Sequence, residues 1–346
     1  MANKLITGNE AVVTGALDAG AEIMFGYPIT PATEILHSWV RKCEKNKKIK
    51  CLQTEDEIAA GFGVLGAVLG GKKSFTASAG PGHILLQDAL AMAENLRLPF
   101  VGVMMQRGGP STGTVNFGQQ EVNLAIHGGN GDGLRIVYSA SSILELYTLT
   151  IKAFDSAWRY RFPTILLGDG YLGKMSATVE LPKPLHPVGV KPILPGKSTP
   201  VYLRNCYSKE TDLNAHLNNN IRDWRDNAER ISESETYGTK TPKVLVIAHG
   251  IVAAAAKDAV DVLRKEKISI GLFRPITLHP FDHPALLRAI KNCQKILIFE
   301  SSLDQLSYII KYNLSGIKIR IIENAKPALA FTSPEITNLI RKEMND

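Results

Sequence analysis

Glu57, Arg107 and Thr30 are the residues whose types and surroundings could do chemistry. Arg107 ends an apolar run and opens Arg107-Gly108-Gly109-Pro110-Ser111-Thr112-Gly113. A guanidinium at the carboxyl end of a strand, on a loop too rich in Gly to be stiffened by side chains, is placed to take a small carboxylate bidentately. A surface Arg on a flexible turn fits the same spacing. Glu57 sits in Thr54-Glu55-Asp56-Glu57-Ile58-Ala59-Ala60, at the head of a helical stretch whose Ala and Gly content lets another chain or a flat ligand approach closely. Thr54 and Glu57 also have the spacing of a capping box, and three acids in one first turn suit the helix dipole. Thr30 stands in Phe25-Gly26-Tyr27-Pro28-Ile29-Thr30-Pro31-Ala32-Thr33-Glu34, where an apolar run gives way to a helix. It is expected to be the N-cap, with Pro31 at the first helical position. Ser78-Ala79-Gly80-Pro81-Gly82 is a third turn of this kind, rich in Gly. Four predicted strand ends, at Tyr27, Gln53, Ala77 and Gln106, thus carry such turns. One shared site at the carboxyl edge of a parallel sheet accounts for them better than four unrelated loops.

The elements that must position these residues alternate in type. Helical spacing over 10–19 is followed by a strand ending near Tyr27, a helix after Pro31, a strand over 49–53 and a helix over 55–70. Then come a strand over 74–77, a helix over 84–95 and strands over 100–105 and 134–138. A helix over 143–159, opened by a Ser142-x-x-Glu145 capping box, and a strand over 164–167 complete the series. From Tyr171 to Pro200 the pattern dissolves into extended chain with Pro182, Pro184, Pro187, Pro192, Pro195 and Pro200, which reads as a linker or arm. A polar helix over 211–233 has too few apolar positions for a core element and is expected to lie across a surface or bridge two domains. A second α/β unit has strands over 244–248, 268–273, 296–299 and 317–322, with helices over 252–265, 284–292 and 305–313. The expected fold class is α/β: a doubly wound parallel-sheet domain over 1–175, an arm and bridging helix over 176–240, and a smaller α/β domain over 241–346.

With 346 residues, 45% of them hydrophobic and 21% charged, the chain has the make-up of a soluble globular protein and room for two cores. Its net charge of +7 comes from scattered Lys and Arg apart from a short run near 41–50, so a nucleic-acid partner is not expected. Cys43, Cys51, Cys206 and Cys293 stand far apart, without the Cys-x-x-Cys pair that holds zinc or an iron–sulfur cluster; any cluster is expected on another chain. No signal-like N-terminus and no apolar run approaching the ~20 residues of a membrane span are present, so a membrane is not expected and the cytoplasm is. Gly131-Asp132-Gly133 and Gly168-Asp169-Gly170 look like loops that hold a diphosphate and its Mg²⁺, but neither is followed by the required Asn pair. Asn218 to Asn220 lies too far along, in the polar helix, and no metal is assigned to this chain. No Gly-x-Gly-x-x-Gly opens the first unit, which weakens a dinucleotide site.

Taken together, Tyr27-Pro28-Ile29-Thr30-Pro31, Glu55-Asp56-Glu57-Ile58-Ala59-Ala60, Ser78-Ala79-Gly80-Pro81-Gly82, Gln106-Arg107-Gly108-Gly109-Pro110-Ser111-Thr112-Gly113 and Arg274-Pro275-Ile276-Thr277-Leu278-His279-Pro280-Phe281 resemble the alpha subunit of 2-oxoacid:ferredoxin oxidoreductases, in order and over nearly the whole chain. The resemblance implies a first domain that binds the pyrimidine end of thiamine diphosphate and a last domain like the transketolase C-terminal domain. It places the diphosphate and Mg²⁺ site and a [4Fe-4S] cluster on a separate beta subunit. Coenzyme A is then the co-substrate, ferredoxin the electron acceptor, and gamma and delta subunits belong to the wider assembly. By the same match Glu57 hydrogen-bonds the aminopyrimidine and favours the imino tautomer, whose nitrogen takes the proton from the thiazolium carbon. Tyr27, Pro28, Ile29 and Gly80 border the cofactor, and Thr30 and Arg107 hold the oxoacid carboxylate.

Two departures stand out. After Ser111-Thr112-Gly113 many relatives that use 2-oxoglutarate continue with Pro-Thr-Lys, where this chain has Val115-Asn116-Phe117. Glu300-Ser301-Ser302-Leu303-Asp304-Gln305 replaces a Glu-Asn-x-x-Gly-Gln pattern. The other motifs still resemble the 2-oxoglutarate branch most. The expected activity is oxidative decarboxylation of a 2-oxoacid to acyl-CoA with two electrons passed to ferredoxin, and the chain is expected to be inactive alone. The alternatives are a pyruvate-specific or branched-chain-specific member, half of a non-redox thiamine-diphosphate decarboxylase, and a catalytically silent scaffold.

Overall fold

The computed structural model describes residues 3–182, 189–190, 193–194 and 201–345. The first part of the chain forms β1 (Asn3–Thr7), α1 (Gly8–Asp18), β2 (Ile23–Gly26), α2 (Thr33–Lys45), β3 (Lys50–Gln53), α3 (Glu57–Leu69), β4 (Ser74–Ser78), α4 (Pro81–Leu85), α5 (Gln87–Leu96), β5 (Val101–Gln106), α6 (Val122–His127), β6 (Ile136–Ser139), α7 (Ile143–Tyr160), β7 (Thr164–Asp169), α8 (Gly170–Lys174) and β8 (Ser176–Glu180). There follow α9 (Glu210–Ile231), β9 (Ser234–Gly238), β10 (Val244–Ile247), α10 (Gly250–Lys265), β11 (Ile270–Pro275), β12 (Thr277–His279), α11 (His283–Ala289), β13 (Lys295–Glu300), α12 (Gln305–Asn313), β14 (Arg320–Ala325) and α13 (Ser333–Asn345).

Among the described residues, one sheet has the order β12-β6-β7-β5-β4-β2-β3 and is parallel except for β12. Strands β4, β5 and β7 are buried along their whole length, as apolar runs covered by helices on both faces must be. A second sheet, β14-β13-β10-β11-β9, is parallel except for the edge strand β9. The α/β class with parallel sheets is the expected one. No helix of the described residues is long and apolar enough to cross a membrane.

Several local expectations are corrected. Helix α2 begins at Thr33 with Ala32 before it, so Thr30 is not its N-cap and Pro31 lies in the turn, not at the first helical position. Asp56 starts α3 by accepting from Ala59 N at 2.8 Å, while Thr54 donates to Asp56 O, so Thr54 and Glu57 form no capping box. The helix starts two residues later than that box requires, and Asp56 is the nearer acceptor for the free N–H groups. Ser142 does cap α7, but the Glu145 carboxylate turns to Ser141 N at 2.8 Å because Arg274 holds it there. The stretch after Tyr171 is not extended throughout: it holds α8, and β8 pairs antiparallel with β1. Pro182 O accepts from the Tyr147 hydroxyl, whereas Pro184, Pro187, Pro192, Pro195 and Pro200 lie outside the described residues.

Two features tie the second sheet to the first. Strand β12 adds to β6, and Arg274 at the end of β11 clasps Glu145 at 2.6 and 2.8 Å and reaches Glu235 at 3.0 Å. The Arg-Pro-Ile-Thr turn is thus a buried cross-link to the N-terminus of α7. Along α9 only Asn220, Trp224 and Ile231 are buried, and the Trp224 ring packs edge-on to Phe162 and stacks on His279.

Candidate functional site

Strands β5, β4, β2 and β3 are consecutive in the sheet, so the turns that follow them meet at one carboxyl edge. Glu57 opens α3 there, with a relative exposure of 3%, and its Oε1 accepts from Ser78 Oγ at 3.1 Å. A Cβ on Gly82 would lie 2.0 Å from that same Oε1, so only glycine lets the turn close on the carboxyl. Burial raises the Glu57 pKa above the usual carboxylate value; its own backbone N–H, Ser78 and Arg107 pull it down, and Asp56 pushes it up. The result is a carboxyl that keeps its proton to higher pH than an ordinary Glu, the property required of a group that shares a proton with a ring nitrogen.

Arg107 is 5% exposed, which removes the reading of a surface Arg on a flexible turn. Its Nη1 donates to Thr30 O at 2.8 Å, and its side chain crosses Gly80, whose φ is +52° and whose added Cβ would stand 2.7 Å from Nε. The Arg107 Nε is buried without a partner, so among the described residues the Nε–Nη2 edge of the fork is unused. Such an edge is the donor pair a carboxylate takes. Thr30 itself is half-buried and its hydroxyl has no hydrogen bond among the described residues. Tyr27, Pro28 and Ile29 lie between β2 and this point, with the Tyr27 ring partly exposed. Thr30, Glu57, Gly80 and Arg107 are therefore one neighbourhood.

Part of the neighbourhood had no signal in the sequence. The buried Glu121, from the polar run ahead of α6, accepts from Gly80 N at 2.9 Å and Arg107 N at 3.1 Å, and its other oxygen meets His83 Nδ1 at 2.8 Å. Phe117 stacks on Tyr171 with ring centres 4.8 Å apart, and Gly118 packs its backbone on Arg107 and Gly108. The aromatic pair therefore stands beside the Arg107 turn, where the lysine-containing pattern is missing. Outside α3's own neighbours, Ile58 and Phe62 are partly exposed; Gly61 and Gly63 face Ala89 and Phe25 of this chain, and Gly66 faces open space.

The two Gly-Asp-Gly triplets stand in different settings. Asp132 and Asn220, far apart in sequence, line one cavity of about 420 Å³, but no group of three or more metal-ligating side chains exists among the described residues. The four cysteines form no disulfide, and among the described residues no three of them come together as a metal-holding group. Asp169 caps α8 through Leu172 N at 2.9 Å, and complete burial lifts its pKa to about 7 against its backbone donors. The folded chain then holds a proton that the unfolded chain releases near pH 4, so this group's contribution to stability falls as pH rises from about 4 to about 7. Asp169→Asn keeps a capping oxygen without titrating. Wild type should lose about 1 kcal/mol relative to that variant between pH 5 and pH 6 in urea unfolding; parallel pH profiles would count against it. In the second sheet the buried Glu300 accepts from Gln305 N, Leu306 N and Ser307 N, which gives the altered turn after β13 a role as anchor of α12.

Comparisons with known proteins bear on the family to which this fold belongs. Residues 14–205 match the pyruvate flavodoxin/ferredoxin oxidoreductase thiamine diphosphate-binding family, and 242–326 match pyruvate:ferredoxin oxidoreductase core domain II. The ketoisovalerate oxidoreductase subunit VorB of Methanothermobacter marburgensis is 33% identical over 321 residues, 90% of each chain. The 2-oxoglutarate synthase subunit KorA of the same organism is 31% identical over 346 residues, 90% of this chain and 91% of that one. The 2-oxoglutarate:ferredoxin oxidoreductase of Magnetococcus marinus superposes with a TM-score of 0.90 at 28% identity over 99% of this chain, which spans 65% of that one. A split-gene transketolase shares the fold alone, at 12% identity and a TM-score of 0.62. With its first half matched by the family and full-length relatives above 30% identity, the chain belongs to the pyruvate flavodoxin/ferredoxin oxidoreductase family.

Proposed function

We propose that this chain is the alpha-type subunit of a coenzyme A-acylating 2-oxoacid:ferredoxin oxidoreductase, supplying the pyrimidine half of a thiamine diphosphate site and the clamp for the oxoacid carboxylate. The observation that carries the reading is the meeting of a buried Glu57, whose pKa burial raises, with an Arg107 fork whose outer edge is unused, at the carboxyl edge of the matched domain. Thiamine diphosphate, when bound, supplies the carbon nucleophile and the electron sink for decarboxylation. Glu57 would hold its aminopyrimidine, with Tyr27, Pro28, Ile29 and Gly80 as the adjoining wall. Arg107 and the free Thr30 hydroxyl would hold the carboxylate. A beta subunit would bring the diphosphate and Mg²⁺ site and the [4Fe-4S] cluster, docking over the apolar outer face of α3 at Ile58, Phe62 and Gly66; ferredoxin, and gamma and delta subunits, complete the proposed assembly. The cell compartment in this reading is the cytoplasm.

For the substrate, the Phe117–Tyr171 stack stands beside Arg107 where the lysine-containing pattern is missing, which favours a 2-oxoacid without a second carboxylate. The motif-based expectation of 2-oxoglutarate is the second reading, and the similar identities to VorB and KorA leave both standing. Copurification from the native cell, then coenzyme A-dependent reduction of a viologen dye with 2-oxoisovalerate, pyruvate and 2-oxoglutarate, tests both levels. The assembled enzyme should reduce the dye and the isolated chain should not. Dye reduction by the isolated chain would overturn the shared site, and a preference for 2-oxoglutarate would overturn the reading of a substrate without a second carboxylate.

A further inference from the structure

We infer that Glu121 is a positioning residue for the oxoacid: one buried carboxylate binds together the two turns between which the Arg107 side chain runs. The inference rests on the reading that Arg107 holds the oxoacid carboxylate. A single oxygen, Oε1, accepts both the Gly80 N–H at 2.9 Å and the Arg107 N–H at 3.1 Å, while Oε2 meets His83 Nδ1 at 2.8 Å. Gly80 is the floor on which the guanidinium lies, and Arg107 N is the point from which its side chain departs. Fixing both backbones with one oxygen therefore fixes where the Nε edge of the fork can be.

The residues on either side extend the same restraint into the second sheet. Gln120 Oε1 accepts from Gly109 N at 2.9 Å, holding the glycine loop after Arg107. Gln119 Nε2 donates to His249 O at 3.0 Å, and its Oε1 accepts from Ser301 N at 3.0 Å. Gln305 Nε2 at the start of α12 donates to Gln120 O at 2.9 Å. The segment Gln119–Gln120–Glu121 is thus a strap with one end in the second sheet unit and the other on the Arg107 turn, so that unit helps to set the geometry of the clamp without touching substrate.

A group that only stabilises the fold would lower the melting temperature and leave the kinetic parameters of the surviving enzyme alone. A positioning residue acts through Arg107 and loses its effect once Arg107 is gone. In the enzyme assembled with its partner subunits, Glu121→Ala should raise KM for the oxoacid by roughly tenfold, with kcat at saturation within about threefold of wild type. Glu121→Gln should bring KM back to within about threefold, because its amide oxygen still accepts both N–H groups and its NH₂ faces His83 in the other tautomer. If the Ala variant fails to assemble, Glu121→Asp replaces it, being one methylene too short to reach all three donors at once. In an Arg107→Ala background, removing Glu121 should change kcat/KM by less than about twofold. A full tenfold loss in that background, a KM unmoved while only the melting temperature drops, or a Gln variant as poor as Ala would each overturn the inference. An Arg107→Ala enzyme with unchanged KM would instead remove the carboxylate reading beneath it, and the inference with it.

Discussion

Glu57→Gln in the assembled enzyme is expected to cost ~10²-fold or more in turnover, the scale of a lost proton-transfer group, with little change in folding. The fold separates these two effects. Asp56, not Glu57, caps α3, so the amide leaves the helix start intact. Ser78 Oγ can donate to an amide oxygen as well as to a carboxylate, so the buried contact survives. The Glu57 pKa is raised in the folded chain, so its ionised form is the one that folding disfavours: its contribution to stability falls as pH rises past the ordinary carboxylate value. A neutral Gln has no such term, and the variant at pH 7 should melt no lower than wild type. What Gln cannot do is share a dissociable proton with a ring nitrogen. Measuring kcat with saturating oxoacid and coenzyme A, beside the melting temperature of the same preparation, decides the matter. Turnover retained with a lowered melting temperature would mean that Glu57 serves the helix and not the chemistry.

How far such a site can be read from a chain of letters depends on the range of the interactions that make it. The parallel strands were legible because continuous apolar runs such as 101–105 and 244–247 have no other stable home than a sheet covered on both faces. The grouping of Thr30, Glu57, Gly80 and Arg107 followed from that, since strand order alone brings their turns together. The helix starts were less legible. Thr30, Thr54 and Asp56 all have capping side chains, and which one serves is set by the direction from which the chain arrives. The short strands β9 and β12 carry little apolar pattern of their own; their partners on β11 and β6 lie far along the chain. The strand β8 was hidden for the same reason, pairing with β1 at the other end of the domain. Glu121 is the plainest case. A lone acid in a polar run has no periodicity, and its three partners come from turns fourteen to forty-one residues away. Arg107 could be read as exposed or buried from its neighbours alone; Gly80 beneath it and Glu121 behind it decide for burial.

Arg107→Lys should lower kcat/KM for the oxoacid by about 1.5–3 kcal/mol, roughly 10- to 150-fold, and leave thiamine diphosphate affinity nearly unchanged. Lysine keeps the charge but is a point donor. It cannot hold Thr30 O with one nitrogen and present a parallel pair of N–H groups to a carboxylate with the others, as the guanidinium can. Thr30→Val should act on the same parameter but more weakly, by about 0.5–1.5 kcal/mol for one hydroxyl bond. The backbone oxygen that steadies Arg107 belongs to residue 30 whatever its side chain, so the fork stays in place. Because Thr30 is not the N-cap of α2, the ~1 kcal/mol helix penalty that a lost cap would bring should not appear, and the melting temperature serves as an internal control. In the double variant the losses should sum to less than the two singles, since both groups address one carboxylate. Values of kcat/KM for the two single variants and the double, taken with thiamine diphosphate dissociation constants on the same enzymes, close the cycle. Strict additivity, or weakened cofactor binding with oxoacid affinity intact, would put Arg107 and Thr30 on the cofactor and leave the oxoacid carboxylate to be held by the partner subunit.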